Sequence, residues 1–212
     1  MIEPLPVPAT AHQEPRLVFG VMGAASGEMT PEALDLAYRL GVAIARAGGV
    51  VLTGACPGLP HRAVLGAKAE GGLTMGISPA ASRFEHVERY GSPLDHLDFV
   101  VYTGAGLMGR EVPNILSSDV VVLVGGRSGT LGEFAIAYEE GKVIGVLEGT
   151  GGITPGIAGL VELCNKPTGA EILYDQDPEA LVSRLLSSLA SRPRGAGCRN
   201  TEALGSARSV RA

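Results

Sequence analysis

The sequence predicts an α/β fold: a doubly wound, mainly parallel sheet with helices on both faces. Three observations predict it. Short, continuous apolar runs alternate along the chain with segments whose apolar residues recur every three or four positions. The runs do not alternate with polar residues, as strands covered on both faces would not. Glycine, at 31 of 212 residues, gathers where those runs end.

The elements follow in order. Residues 17–22 (LVFGVM) read as a strand ending in a glycine-rich loop, Gly23 to Gly27. Thr30-Pro31-Glu32 then opens a helix, with a capping hydroxyl, proline in the first turn and an acid at the positive dipole end. Its apolar face runs from Ala33 to Ala47, and Gly48-Gly49 stops it. A strand at 50–53 leads into a second loop, Gly54 to Gly58, then a helix at 60–70 and a strand at 73–77. Residues 78–95 are polar and read as a loop or a flap over the site. A strand at 98–102 and a helix at 107–116 follow. Residues 119–124 (DVVVLV) are the clearest strand and run straight into Gly125, Gly126, Arg127, Ser128, Gly129 and Thr130. A helix to Glu140, a strand at 143–147, and a last strand and helix within 171–189 complete the pattern.

Length allows one well-filled core, so the expected organisation is a single domain at 17–190 between a flexible segment, 1–16, and a disordered tail, 191–212. Aromatics are only 4% against 45% hydrophobic residues, so that core is aliphatic. Mean hydropathy is +0.24, which points to a homodimer or larger homo-oligomer that covers apolar surface. The net charge of −5 and the lack of a basic stripe argue against nucleic acid as a partner. Cys56, Cys164 and Cys198 form no CxxC pair, the start has no apolar signal region, and no run approaches the roughly 20 apolar residues of a membrane span. These features predict a cytoplasmic protein with reduced thiols, no membrane partner and no metal site.

In an open parallel sheet, ligands sit beyond the carboxyl ends of the strands. GGRSGT occupies such a place. Glycines let the backbone approach an anion, and the free amides of the next helix start attract phosphate. Gly23, Gly27, Gly54, Gly125, Gly126, Arg127, Ser128, Gly129 and Thr130 are therefore candidate phosphate or nucleotide contacts. Taken alone, GGRSGT can equally be a strand-to-helix turn without a ligand. Gly20-x-x-Gly23-x-x-x-Gly27 is not GxGxxG, the second strand ends at Thr53 rather than an acid, and GGRSGT lacks Lys-Ser/Thr. Dinucleotide-binding and P-loop readings both fall.

The segment VGGRSGTLGEFAIAYEEGKVIGVL resembles the signature region of LONELY GUY (LOG)-like proteins, long mislabelled lysine decarboxylases, whose pattern is PGGxGTxxE. Gly125, Gly126, Gly129, Thr130 and Glu133 match it; Val124 replaces the proline and one residue is inserted. Met108-Gly109-Arg110 resembles a second family motif, with Glu111 where lysine is usual. These departures resemble a divergent branch that includes molybdenum cofactor carriers. Two functions are thereby implied. One is a phosphoribohydrolase releasing free base from a nucleoside 5′-monophosphate such as AMP, with Glu133 and Arg110 as catalytic residues and no cofactor required. The other is a carrier or sensor of a nucleotide or molybdopterin-type ligand, without turnover.

The residues leave alternatives open. Thr130-x-x-Glu133 is also a capping box, and Arg110 can be a surface residue on its helix. His12, His61, His86 and His96 have no metal spacing; His61 reads as a solvated helix start. Asp119 lies at a strand start, away from the ligand edge, and Cys56 has no paired histidine.

Overall fold

The computed structural model describes residues 15–192. Most of the expected flexible start (1–16) and disordered tail (191–212), with His12 and Cys198, lies outside that range, and Ser191 ends the last helix rather than opening the tail.

Seven strands form one fully parallel sheet: β1 (Val18–Gly23), β2 (Val50–Thr53), β3 (Leu73–Ser78), β4 (Phe99–Tyr102), β5 (Val120–Val124), β6 (Val143–Leu147) and β7 (Glu171–Asp175). Their order is β4-β3-β2-β1-β5-β6-β7. The helices are α1 (Pro31–Arg46), α2 (Leu59–Ala69), α3 (Arg83–Glu88), α4 (Gly106–Gly109), α5 (Glu111–Leu116), α6 (Ser128–Glu139), α7 (Ile157–Cys164) and α8 (Pro178–Ser191). Phe19, Val21, Val120 and Val122 pack with α1, α2 and α8 on one face; Met22, Val121 and Leu123 pack with α5, α6 and α7 on the other. Each central strand thus sends alternate aliphatic side chains into two cores, which is why its sequence is an unbroken apolar run.

β1 has β2 on one side and β5 on the other. The chain leaves β1 for α1 on one face and leaves β5 for α6 on the opposite face, so the two connections part and open a crevice at the carboxyl ends. That is the switch point where open α/β sheets bind ligands.

Three local features differ from expectation. Residues 78–95 contain α3, capped by Ser82, whose hydroxyl accepts from Glu85 N at 3.2 Å. The signal was a Ser-x-x-Glu pair. His86 on this helix is fully buried, its Nδ1 2.8 Å from Ser78 Oγ and its Nε2 donating to Pro93 O at 3.1 Å. It is a clasp that holds the segment to β3. The helix expected over 107–116 is broken at Arg110 into α4 and α5, because Pro113 has no N–H to continue a helix from Gly109 and fits only a first turn. Ile157, Leu160 and Val161 form the apolar stripe of α7, which ends on Asn165 in the left-handed region (φ +43°). The glycines before it masked that helix.

Thr30 caps α1 as expected, its hydroxyl accepting from Ala33 N at 3.2 Å. Thr30→Ala lowers stability by about 1 kcal/mol, read as a lower urea midpoint with an unchanged slope.

Candidate functional site

The turn after β5 is made by Gly125 and Gly126, both at positive φ (+62° and +93°). Gly125 N donates to Thr150 Oγ1 at 2.8 Å, and Gly126 O accepts from Ile153 N at 3.1 Å. This sharp turn starts α6 at Ser128. The first backbone bond of that helix is Leu131 N to Arg127 O at 2.9 Å, so the amides of Ser128, Gly129 and Thr130 have no backbone acceptor among the described residues. Opposite them lies the loop after β1. Arg127 Nη2 reaches across to it, donating to Ser26 Oγ at 2.6 Å and Ser26 O at 3.3 Å.

Between these walls is a cleft of about 480 Å³. It is lined by Gly23, Ala24, Ala25 and Ser26 after β1, by Gly54 and Cys56 after β2, and by Leu107, Met108, Arg110 and Glu111 from α4 and α5. Arg127, Ser128, Gly129, Thr130 and Glu133 close it on the α6 side. A hollow of about 520 Å³ bordered by Tyr138, Lys166 and Ile172 lies toward the amino edge of the sheet, and none of its side chains is a buried polar group without a partner.

The cleft floor is charged and buried. Arg110, 8% exposed, sits at the α4–α5 junction and lays its guanidinium against Gly54, where any Cβ would collide with it. Its Nη1 is 3.5 Å from Glu133 Oε1, yet Nε and Nη1 have no hydrogen-bond partner. Glu133 is 6% exposed, and burial pushes its carboxyl up to about 7. Arg110 and the Asn114 amide pull that value down and Glu111 adds to the rise, so Glu133 is close to half-protonated at neutral pH. Burial pushes the Cys56 thiol up to about 11 despite Arg110, which leaves it protonated and no nucleophile.

Glu111 was seen in the sequence only as a departure from a motif. It is 5% exposed and faces α6, where a Cβ on Gly132 would lie 2.7 Å from its Oε2. Burial raises its carboxyl above the ordinary range, with Arg110 opposing.

The structure brings Gly23, Gly54, Arg110, Arg127, Ser128, Gly129, Thr130 and Glu133 around one cleft. Gly27, Gly125 and Gly126 do not line it; the last two shape the turn, and Gly27 lies near the Arg127 guanidinium. Gly23 is glycine because a side chain there would strike Val124 O of the neighbouring strand. The capping-box reading of Thr130 and Glu133 fails, since α6 starts at Ser128 and places both inside the helix. Arg110 is buried rather than on the surface. His61 lies 3.3 Å from Asp95 Oδ2, outside the cleft, and Asp119 Oδ2 accepts from Val18 N at 2.8 Å. Among the described residues no group of three or more His, Cys, Asp or Glu is placed to hold a metal ion.

The model of the SLOG cluster4 family matches residues 16–182. The chain belongs to that family. A protein of Archaeoglobus fulgidus is 36% identical over 130 residues, 61% of this chain and 79% of that one. The solved molybdenum cofactor binding protein of Rippkaea orientalis is 32% identical, with a TM-score of 0.69, over 84% of this chain and 99% of its own. The molybdenum cofactor carrier protein of Chlamydomonas reinhardtii is 30% identical, with a TM-score of 0.67, over 84% of this chain and all of its own (100%). The resemblance read from residues 124–147 and 108–110 therefore holds for this SLOG cluster4 chain, including its divergent, carrier-containing branch.

Because Glu133 has a higher pKa folded than unfolded, the native state binds the extra proton. Its stabilising effect is complete below about pH 4.5 and is lost as pH rises through about 7. Wild type therefore loses up to about 3 kcal/mol more than Glu133→Gln between pH 5 and 8. Denaturant melts at both pH values check this; equal losses would show that the carboxyl is not buried.

Proposed function

We propose that the cleft binds a phosphate-bearing heterocycle, a molybdopterin-type cofactor or a nucleotide, and that the protein holds and releases it without turnover. The observation behind this reading is Arg110: a buried guanidinium that lines the cleft together with the free amides of α6, and whose Nε and Nη1 have no hydrogen-bond partner. Such donors are costly without a partner and are matched by an anionic ligand. Arg127 adds a cation at the mouth. Similar proteins are named for binding or carrying molybdenum cofactor, which supports the cofactor over a free nucleotide.

A molybdopterin-type group fits the residues present. Its phosphate suits the amides of Ser128, Gly129 and Thr130 with Arg127, and its polar ring suits the buried floor. The cleft volume lies within the roughly 300–1,000 Å³ usual for small-ligand sites. When bound, the group brings redox chemistry of its own; the chain's residues bind and orient it. Exposed Phe99 (60%) and Val101 (49%) on the edge strand, with Leu107 and Met108, also support self-association, which light scattering at micromolar concentration would report as a dimer or larger.

Protein purified from cells that make the cofactor should release a fluorescent oxidised pterin on denaturation. Arg127→Ala, with unchanged melting, should weaken binding of phosphate monoesters roughly tenfold. A hydrolase reading is favoured by one observation, the near-neutral Glu133 carboxyl beside Arg110, which suits proton transfer at a glycosidic bond. Incubation with AMP and related monophosphates separates the two. Free base released by wild type and not by Glu133→Gln would replace the carrier reading.

A further inference from the structure

The cleft floor sets two acids against one cation. Arg110 stands at the α4–α5 junction, Glu111 opens α5 and Glu133 comes from α6; all three are buried and line the cleft. Two other polar groups face Glu133. Asn114 on α5 has an Oδ1 without a hydrogen-bond partner, and Cys56 after β2 is a protonated thiol. The strands beneath α6 offer it Met22, Val121, Leu123, Ile144 and Val146, none of them charged. The protons on the two carboxyls therefore set the sign of the floor. It is net negative when both are ionised and net positive when both are neutral.

An anion that satisfies Arg110 comes close to Glu133. Arg110 Nη1, one of the two unpaired positions, is 3.5 Å from Glu133 Oε1. An oxygen accepting from that nitrogen, at about 2.9 Å, lies no more than about 6.5 Å from the carboxylate. An anion on the first amides of α6 meets the other acid, since Glu111 Oε1 lies 3.7 Å from where a Cβ on Gly129 would stand. A like charge so near disfavours an ionised carboxyl, and a ligand that excludes water from the floor acts in the same direction. The ligand also takes over part of the guanidinium's charge. A protonated carboxyl can donate its O–H to a ligand oxygen, which an ionised one cannot. Burial has already pushed Glu133 up to about 7, so little further change is needed.

We infer that the cleft binds its anion together with a proton: Glu133 takes up one proton from water as the ligand enters, and a rise in pH releases both. The inference rests on the phosphate-cleft reading and adds a means of release that needs no chemistry on the ligand. The sign follows from linkage. A complex that holds more protons than the empty protein weakens as pH rises.

Calorimetric titration of the full chain with AMP and with sulfate, each in two buffers of different ionisation heat, counts the protons. Above about pH 7 a phosphate monoester is already mostly doubly charged, and sulfate does not titrate, so a pH dependence shared by both belongs to the protein. Wild type should take up about one proton per anion at pH 8, and its Kd should rise roughly tenfold between pH 7 and 8.5. Over the same range the Kd of Glu133→Gln should change by less than about twofold. Glu111→Gln, which removes a like charge from beside Glu133, should move the pH of half-maximal uptake downward. Anion binding by wild type with no proton uptake would overturn the inference and leave the phosphate cleft standing. Uptake unchanged in Glu133→Gln would overturn it as well. Binding of neither anion would overturn both. The proton count in wild type needs no variant, and the Glu111→Gln shift is a second measurement, so a folding defect in Glu133→Gln cannot hide the answer.

Discussion

A guanidinium taken out of water needs either a carboxylate in good geometry or a ligand, because the desolvation of an isolated ion amounts to several kcal/mol. Arg110 has only part of that compensation. Glu133 stands 3.5 Å from its Nη1, yet Nε and Nη1 remain without hydrogen bonds. Much of the cleft follows from placing this group where it is. The loop after β2 carries Gly54 so that the guanidinium can lie against bare backbone, and the junction of α4 and α5 falls on Arg110 itself. Asn114, Glu133 and Glu111 then surround it, each buried. A core built only for stability would fill this space with aliphatic side chains, as the two cores on either side of the sheet do.

The same cluster shows how one cleft holds two kinds of electrostatic environment. At the mouth, Arg127 and the start of α6 are exposed and screened by water and salt. At the floor, burial dominates: it raises the carboxyls of Glu133 and Glu111 and the thiol of Cys56, even though a cation stands among them. Desolvation outweighs Coulomb attraction at each of these groups. The mouth is therefore suited to attract an anion, and the floor to discriminate by hydrogen bonding, where an unmatched polar group is most costly.

The fold was legible because its signals are local. The central strands are runs of apolar residues ended by a polar or glycine-rich turn, and Thr30-Pro31 marks the start of α1 without reference to anything distant. The break at Arg110 was also local, in Pro113, but the regular apolar spacing of 107–116 concealed it. The site was legible only in part, since it is assembled by strand order. Gly54, Arg110, Glu111 and Glu133 come from three separate stretches and meet because β1 lies between β2 and β5. Gly54 looked like a phosphate contact, and the structure gives its nearest demand as room for Arg110. Thr130 and Glu133 looked like a cap because the spacing is identical; the two positive-φ glycines before them start the helix earlier and turn both residues inward. No pattern in the sequence distinguishes a buried Glu111 from an exposed one.

A cleft proposed to hold and release an anion must leave the fold stable when empty as well as when filled, and this bears on why the floor holds two acids. With only Arg110 and Arg127, the empty cleft would confine two cations near a helix N-terminus, whose dipole is also positive. Glu133 offsets the buried cation, and because its carboxyl titrates near neutrality its charge can fall when an anion arrives. Glu111 lies against both Gly129 and Gly132, its oxygens 3.7 Å and 2.7 Å from where a Cβ would stand, so its carboxyl helps to balance the cations of the empty site. The placement of the acids along one helical turn thus reconciles an anion site with a fold that persists when the site is vacated.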